Sequence, residues 1–167
     1  QIIALLDRAA AAGYDFIKVH NVLKPNVYAA ILDEAKKLGL DVVGHIPHEI
    51  PLSKAIQSGQ RTFEHFKGYY SDRSLTVTKE DYVGLTRGAD VWNCPTLYTH
   101  RIGLQSEEVV RLLQTEEAKF ISGDDREFWL TRAAGDGGKS DRRIRELSVP
   151  ILKELLPAKP KLLAGTD

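Results

Sequence analysis

The chain has 167 residues, 43% of them apolar and 28% charged, a composition that suits one globular domain with a sizeable core and excludes disorder. Lys plus Arg and Asp plus Glu number 23 each, so no net field of one sign is present to hold a nucleic-acid backbone or an anionic membrane surface, and nucleic acid is not an expected partner. No apolar run reaches the length of a membrane span, so the chain reads as soluble; the single cysteine, Cys94, offers neither an intramolecular disulfide nor a CxxC metal signature, which fits a reducing, cytoplasmic setting.

In chain order, residues 1–12 carry apolar side chains at helical spacing, and Gly13 is expected to end that helix. DFIKV (15–19) follows, short and β-rich. After Lys24-Pro25-Asn26 the stretch VYAAILDEAKKL has helical periodicity, with basic residues in its last turn and Gly39 as its stop. DVVGHI (41–46) is strand-like and ended by Pro47. SKAIQSG (53–59) reads as a short helix leading into a third strand, RTFEHF (61–66).

LTVTKEDYVGLTRG (75–88) is expected to be helical, opened by Thr78 as N-cap with Asp81 three residues on. DVWNCPTL (90–97) is a fourth strand broken by Pro95. Residues 107–134 read as helix interrupted at Ser122-Gly123-Asp124-Asp125, GDGGKSD (135–141) as a loop, and RRIRELSVPILKELL as a helix that Pro150 should kink or divide. KLLAGTD (161–167) is the fifth strand.

Strands alternating with helices, each strand apolar enough to be covered on both faces, imply an α/β fold with a parallel sheet. A doubly wound sheet and part of a (β/α)8 barrel both fit that pattern. A polar residue able to do chemistry stands at the carboxyl end of four of the five strands, the face on which barrels carry their sites. No GxGxxG or GxxxxGK[ST] phosphate loop is present. The expected architecture is therefore a partial TIM-type barrel of about five parallel strands with flanking helices.

Lys18 shares a strand face with Phe16; enclosed in a barrel it must be paired, neutral or modified, whereas the plain alternative is a snorkelling or salt-bridged lysine. His45 lies between Gly44 and Ile46-Pro47 at a strand end, and His65 holds the same place one βα unit later, with Glu64 expected to face the helices. Either histidine alone is more often a hydrogen-bonded structural residue than a ligand; the two on successive strands make a metal site an equal reading. Asp167 could cap a following helix or serve as ligand and base. His20, His48 and Tyr98 lie just past their strands as weaker candidates for touching substrate, His100 reads as a loop residue near the mouth, and Cys94 as buried and inert.

Taken together, GYDFIKV, EAKKLGL, VVGHIP, GQRTFEH, CPTL and LLAGTD resemble the imidazolonepropionase-like and Xaa-Pro dipeptidase-like branch of the amidohydrolase superfamily, in order through nearly the whole chain. The resemblance implies the fourth to eighth strands of that family's barrel. It further implies that Lys18 is carboxylated and bridges two metals, that His45 and His65 are ligands of the second metal, and that Asp167 binds metal and shuttles the proton. The implied activity is hydrolysis of amide-type C–N bonds, in a dipeptide, N-acyl amino acid or cyclic amide, by metal-bound hydroxide, with one or two zinc ions as cofactor.

Two rival readings stand beside it: a mononuclear imidazolonepropionase-type or deaminase-type site, and a non-catalytic fragment or pseudo-enzyme with structural histidines. The family's first-strand HxH pair, its N-terminal strands and its β-sandwich have no counterpart in residues 1–167. The chain is therefore expected to be part of a longer enzyme and inactive alone. A small-molecule substrate is the expected partner, with assembly into a homo-oligomer left open.

Overall fold

The computed structural model describes residues 1–71, 73–98 and 106–165. Helix α1 (Ile2–Ala11) gives way to Gly13 in the left-handed region, φ 78°, as its sequence expects. Strand β1 (Phe16–Val19) leads into α2 (Pro25–Leu38), which has proline at its start and Gly39 in the left-handed conformation at its end. Strand β2 (Asp41–Gly44) then pairs with β1 in parallel, with Lys18 opposite Val43 and Val19 opposite Gly44.

After α3 (Leu52–Gln57) comes β3 (Thr62–Glu64), which pairs in parallel with β6 (Trp92–Cys94); β6 pairs in turn with β7 (Lys161–Leu162). The two parallel groups are stitched together where Arg61 N–H donates to Val42 O at 2.8 Å and Gly44 N–H donates to Thr62 Oγ1 at 3.1 Å. The five expected parallel strands are thus present in the order β1, β2, β3, β6, β7, each shorter than its apolar run. Leu163 N–H carries the last ladder one residue further, to Asn93 O.

Three segments depart from expectation. Residues 70–77 form a small antiparallel hairpin, β4 (Tyr70–Ser71) with β5 (Thr76–Val77), and the helix after it, α4 (Tyr82–Thr86), is short. Its N-cap is Asp81, whose Oδ1 accepts from Gly84 N–H, and not Thr78, whose own N–H is held by Tyr69 O. Helix α5 (Ser106–Leu113), a 3-10 turn (Glu116–Phe120) and α6 (Gly123–Ala134) fill the long helical stretch, with the side chain of Ser122 capping α6 through Asp125 N–H.

The glycine-rich segment expected to be a loop is instead the start of α7 (Asp136–Leu155). Asp141, buried within that helix, takes a bidentate ion pair from Arg132 on α6, at 2.5 and 2.8 Å, so tertiary contact overrides weak helix propensity. Pro150 lies inside α7 without dividing it, because Leu147, Ile151 and Leu155 form one buried stripe that runs past it.

The core has two parts. One packs α1 and α2 over β1 and β2, around Leu6, Val19, Tyr28, Ile31 and Val42. The other packs α3, α4 and α7 over β3 and β6, around Phe63, Tyr69, Tyr82, Ile151 and Leu155. Helices therefore cover one face of the sheet, and the alternate side chains of each strand point to the other. No helix among the described residues is long and apolar enough to cross a membrane.

At the amino ends of the strands the exposed charges alternate in sign. Asp90 takes Arg61 at 2.5 Å and also Lys161, while Arg61 reaches Asp41 at 3.7 Å. These residues precede or begin β2, β3, β6 and β7, and their ion pairs tie the strand starts together. The opposite rim carries different chemistry.

Candidate functional site

Each histidine of interest stands one residue past the end of a strand. His45 N–H donates to Val19 O at 3.0 Å, and His65 N–H donates to Cys94 O at 2.9 Å, so each is held by the strand beside its own. Their rings meet edge to face with centroids 4.8 Å apart, and the ring of His20, just past β1, lies 4.5 Å from that of His45. Three imidazoles from three successive strands thus gather at the carboxyl-terminal rim.

Local backbone makes this meeting possible. Gly44 has φ 113°, and a Cβ there would lie 2.4 Å from Val19 O and 3.1 Å from Lys18 Cγ, so only glycine lets β1 approach this closely. His65 has φ 58°, which breaks the alternation of β3 and turns its ring along the rim. This corrects the expectation for Glu64. Phe63 is the buried residue of β3 on the helix side, and Glu64 shares the other face with Thr62, whose hydroxyl donates to Glu64 Oε1 at 3.0 Å.

His45 is 8% exposed and His65 6% exposed. Burial, followed by the neighbouring His65, His20, Lys67 and Lys18, pushes His45 down to about 4, so its imidazole is neutral at pH 7. Its Nδ1 is buried without a hydrogen-bond partner. His65 Nδ1 instead pairs with Thr96 Oγ1 at 2.5 Å.

Lys18 lies beside Gly44 and is exposed, and β1 has a strand neighbour on one side only among the described residues. His48 is half-buried, with its N–H bonded to Asn21 O at 2.9 Å. It lines a cleft of about 740 Å³ that runs from the residues after His45 to Lys67 and the β4–β5 hairpin. Tyr98 lies elsewhere, in an apolar groove with Pro95, Leu152 and Leu162. Cys94 is buried, as expected. Asp167 and His100 fall outside the described residues.

No family model and no curated protein matches the sequence. Solved structures do. A bottromycin amidohydrolase superposes with TM-score 0.67 at 22% identity, over 99% of this chain and 40% of that one. The chain therefore shares its fold with a segment of that structure. An ochratoxinase from A. niger (TM-score 0.64, 13% identity) and a Xaa-Pro dipeptidase with methionine bound in its active site (0.58, 15%) are likewise similar over 99% of this chain, which spans 34% and 37% of theirs.

The donors at the rim fit a divalent cation in kind: neutral imidazole suits zinc, and an orphaned buried ring nitrogen on His45 is an atom in want of a partner. Among the described residues, however, no group of three or more His, Cys, Asp or Glu side chains is arranged to hold a metal ion.

Two supporting residues escaped the sequence reading. Gln60 is 1% exposed; its amide donates to Gly44 O at 3.1 Å and Thr62 O at 2.8 Å, and its oxygen accepts from Tyr28 O–H at 2.6 Å, bracing β2 against β3 just below His45. Thr96 holds the His65 ring. Both act across strands, and each lies in a short segment, GQRTF or CPT, just outside a strand end, where no local pattern marks it.

Proposed function

We propose that this chain is barrel strands four to eight of a longer metal-dependent hydrolase acting on amide-type C–N bonds, with a dipeptide, N-acyl amino acid or cyclic amide as substrate. The observation that carries the reading is the convergence of His45 and His65 at the rim, neutral at His45 and with its Nδ1 unpartnered. Similarity to solved amidohydrolase and dipeptidase folds supports the amide-type bond.

In this reading His45 and His65 are metal ligands. Lys18, reaching along Gly44, carries the carbamate that completes the anionic part of the site, and its exposure leaves the amine open to carbon dioxide. Asp167 takes a proton from water and delivers it to the departing amine, which must leave protonated. Bound zinc supplies Lewis-acid polarisation of the carbonyl and a lowered pKa for water. His48 lines the cleft and His20 lies against the His45 ring; in this reading both would touch the substrate.

The test uses the full-length protein that contains these residues, stripped with chelator and assayed on N-acyl amino acids and dipeptides. Hydrolysis that disappears on stripping and returns with zinc is expected; full activity in metal-free protein contradicts the reading. A second reading, structural histidines without catalysis, draws on the Thr96 bond to His65 and on the missing three-donor group among the described residues. It calls for no thermal stabilisation of the full-length protein by zinc.

A further inference from the structure

We infer that Thr96 is a positioning residue that fixes the tautomer and orientation of His65, an inference that rests on the metal-hydrolase reading above. Thr96 follows Pro95 beyond β6 and is 3% exposed. Its Oγ1 lies 2.5 Å from His65 Nδ1. The same stretch of chain also holds the His65 backbone, through Cys94 O. One strand end therefore grips the histidine twice, at the main chain and at the ring.

The backbone of Thr96 argues that this grip is specific. Its φ of 45° lies in the left-handed region, where a β-branched residue is an outlier, and His65 opposite it has φ 58°. Filling a buried space with an apolar residue asks for no such conformation. Strained backbone that the surroundings hold in place marks a position where geometry is selected, and here the geometry brings one hydroxyl to one ring nitrogen.

A hydroxyl can accept from an imidazole N–H. With Nδ1–H donating to Thr96 Oγ1, the lone pair of the neutral ring resides on Nε2, the form in which that atom can serve as a ligand. His45 has no corresponding partner at Nδ1, so the device is particular to His65.

The test has two readouts on the full-length protein. Long-range 15N NMR of the metal-free wild type should show His65 protonated at Nδ1, and Thr96→Val, which keeps the branched shape without the hydroxyl, should show a mixture of tautomers. Zinc affinity, measured by competition with a chromogenic chelator, should fall roughly 10- to 100-fold in Thr96→Val and return in Thr96→Ser.

A wild-type His65 protonated at Nε2, or a Thr96→Val protein that binds zinc as tightly as wild type, overturns the inference alone. A wild type that takes up no zinc sinks the parent reading and the proposed role with it. Should Thr96→Val fail to fold, the wild-type tautomer and the Thr96→Ser affinity still decide the matter.

Discussion

His45 and His65 stand edge to face, 4.8 Å between ring centroids, while their backbones are tied outward in opposite directions, to Val19 on β1 and to Cys94 on β6. The contact is thus a product of the sheet. Neither backbone can be moved without disturbing a ladder of parallel strands, and this is how a barrel rim places side chains from distant sequence positions.

Gly44 is the tightest point of that arrangement. Gly44→Ala places a methyl 2.4 Å from Val19 O at a φ of 113°, so β1 must separate from β2. A loss of about 2–3 kcal/mol in stability is expected from urea unfolding. His45, the next residue, should show altered ring shifts in NMR; a variant as stable as wild type would show that β1 is free to move.

Gln60→Leu removes the brace beneath His45. It deprives the carbonyls of Gly44 and Thr62 of a donor and Tyr28 O–H of its acceptor, all in a buried setting. The expected loss is about 2–4 kcal/mol, with Gln60→Glu also destabilised because a carboxylate cannot donate to the two carbonyls. Denaturant midpoints of the two variants check this.

Tyr69 makes the protein sensitive to alkali. Burial pushes its phenol up to about 12, with O–H donating to Asn93 Oδ1 at 2.8 Å and lying 3.0 Å from Thr86 Oγ1. In the unfolded chain the phenol ionises near 10, so the native state keeps its proton longer. This contribution to stability is complete below pH 10 and is lost as pH rises from 10 to about 12. Tyr82, also pushed up to about 12 by burial and then by its bond to Glu154, acts in the same window. Tyr69→Phe should be less stable at neutral pH by about 1–3 kcal/mol and should lose less stability between pH 10 and 12, as followed by thermal melts at stepped pH.

Lys18 decides between one metal and two. If its carbamate bridges a pair of ions, Lys18→Ala should halve the zinc bound per full-length chain. Unchanged content rejects the bridge and favours the mononuclear site. Zinc analysis after gel filtration gives the answer directly.

Elements whose signals are local were legible in the sequence. Helix α2 has its proline at the start and its left-handed glycine at the end, and the strand ends at His45 and His65 follow from short β-rich runs with Gly44 and Pro47 as punctuation. What was illegible depends on partners far along the chain. The start of α7 has the composition of a loop, and it is helical in a chain where Asp141 meets Arg132 across two helices. Glu64 keeps strand alternation, opposite Phe63; it is His65 that leaves it by taking a left-handed φ, which no residue type at that position announces. Gln60 and Thr96 are ordinary residues until β2, β3 and β6 lie side by side. The roles of Lys18 and Asp167 come from family resemblance, and the rim geometry bears on Lys18 only by placing it, exposed, beside Gly44.

The most direct measurement is the zinc content of the full-length protein and of its His45→Ala/His65→Ala double variant, dialysed against the same metal-buffered solution. At least one tightly held ion per chain is expected in the wild type and a loss of about one ion per chain in the variant, with the fold retained by circular dichroism. Equal zinc in the two proteins, or none in the wild type, would contradict it.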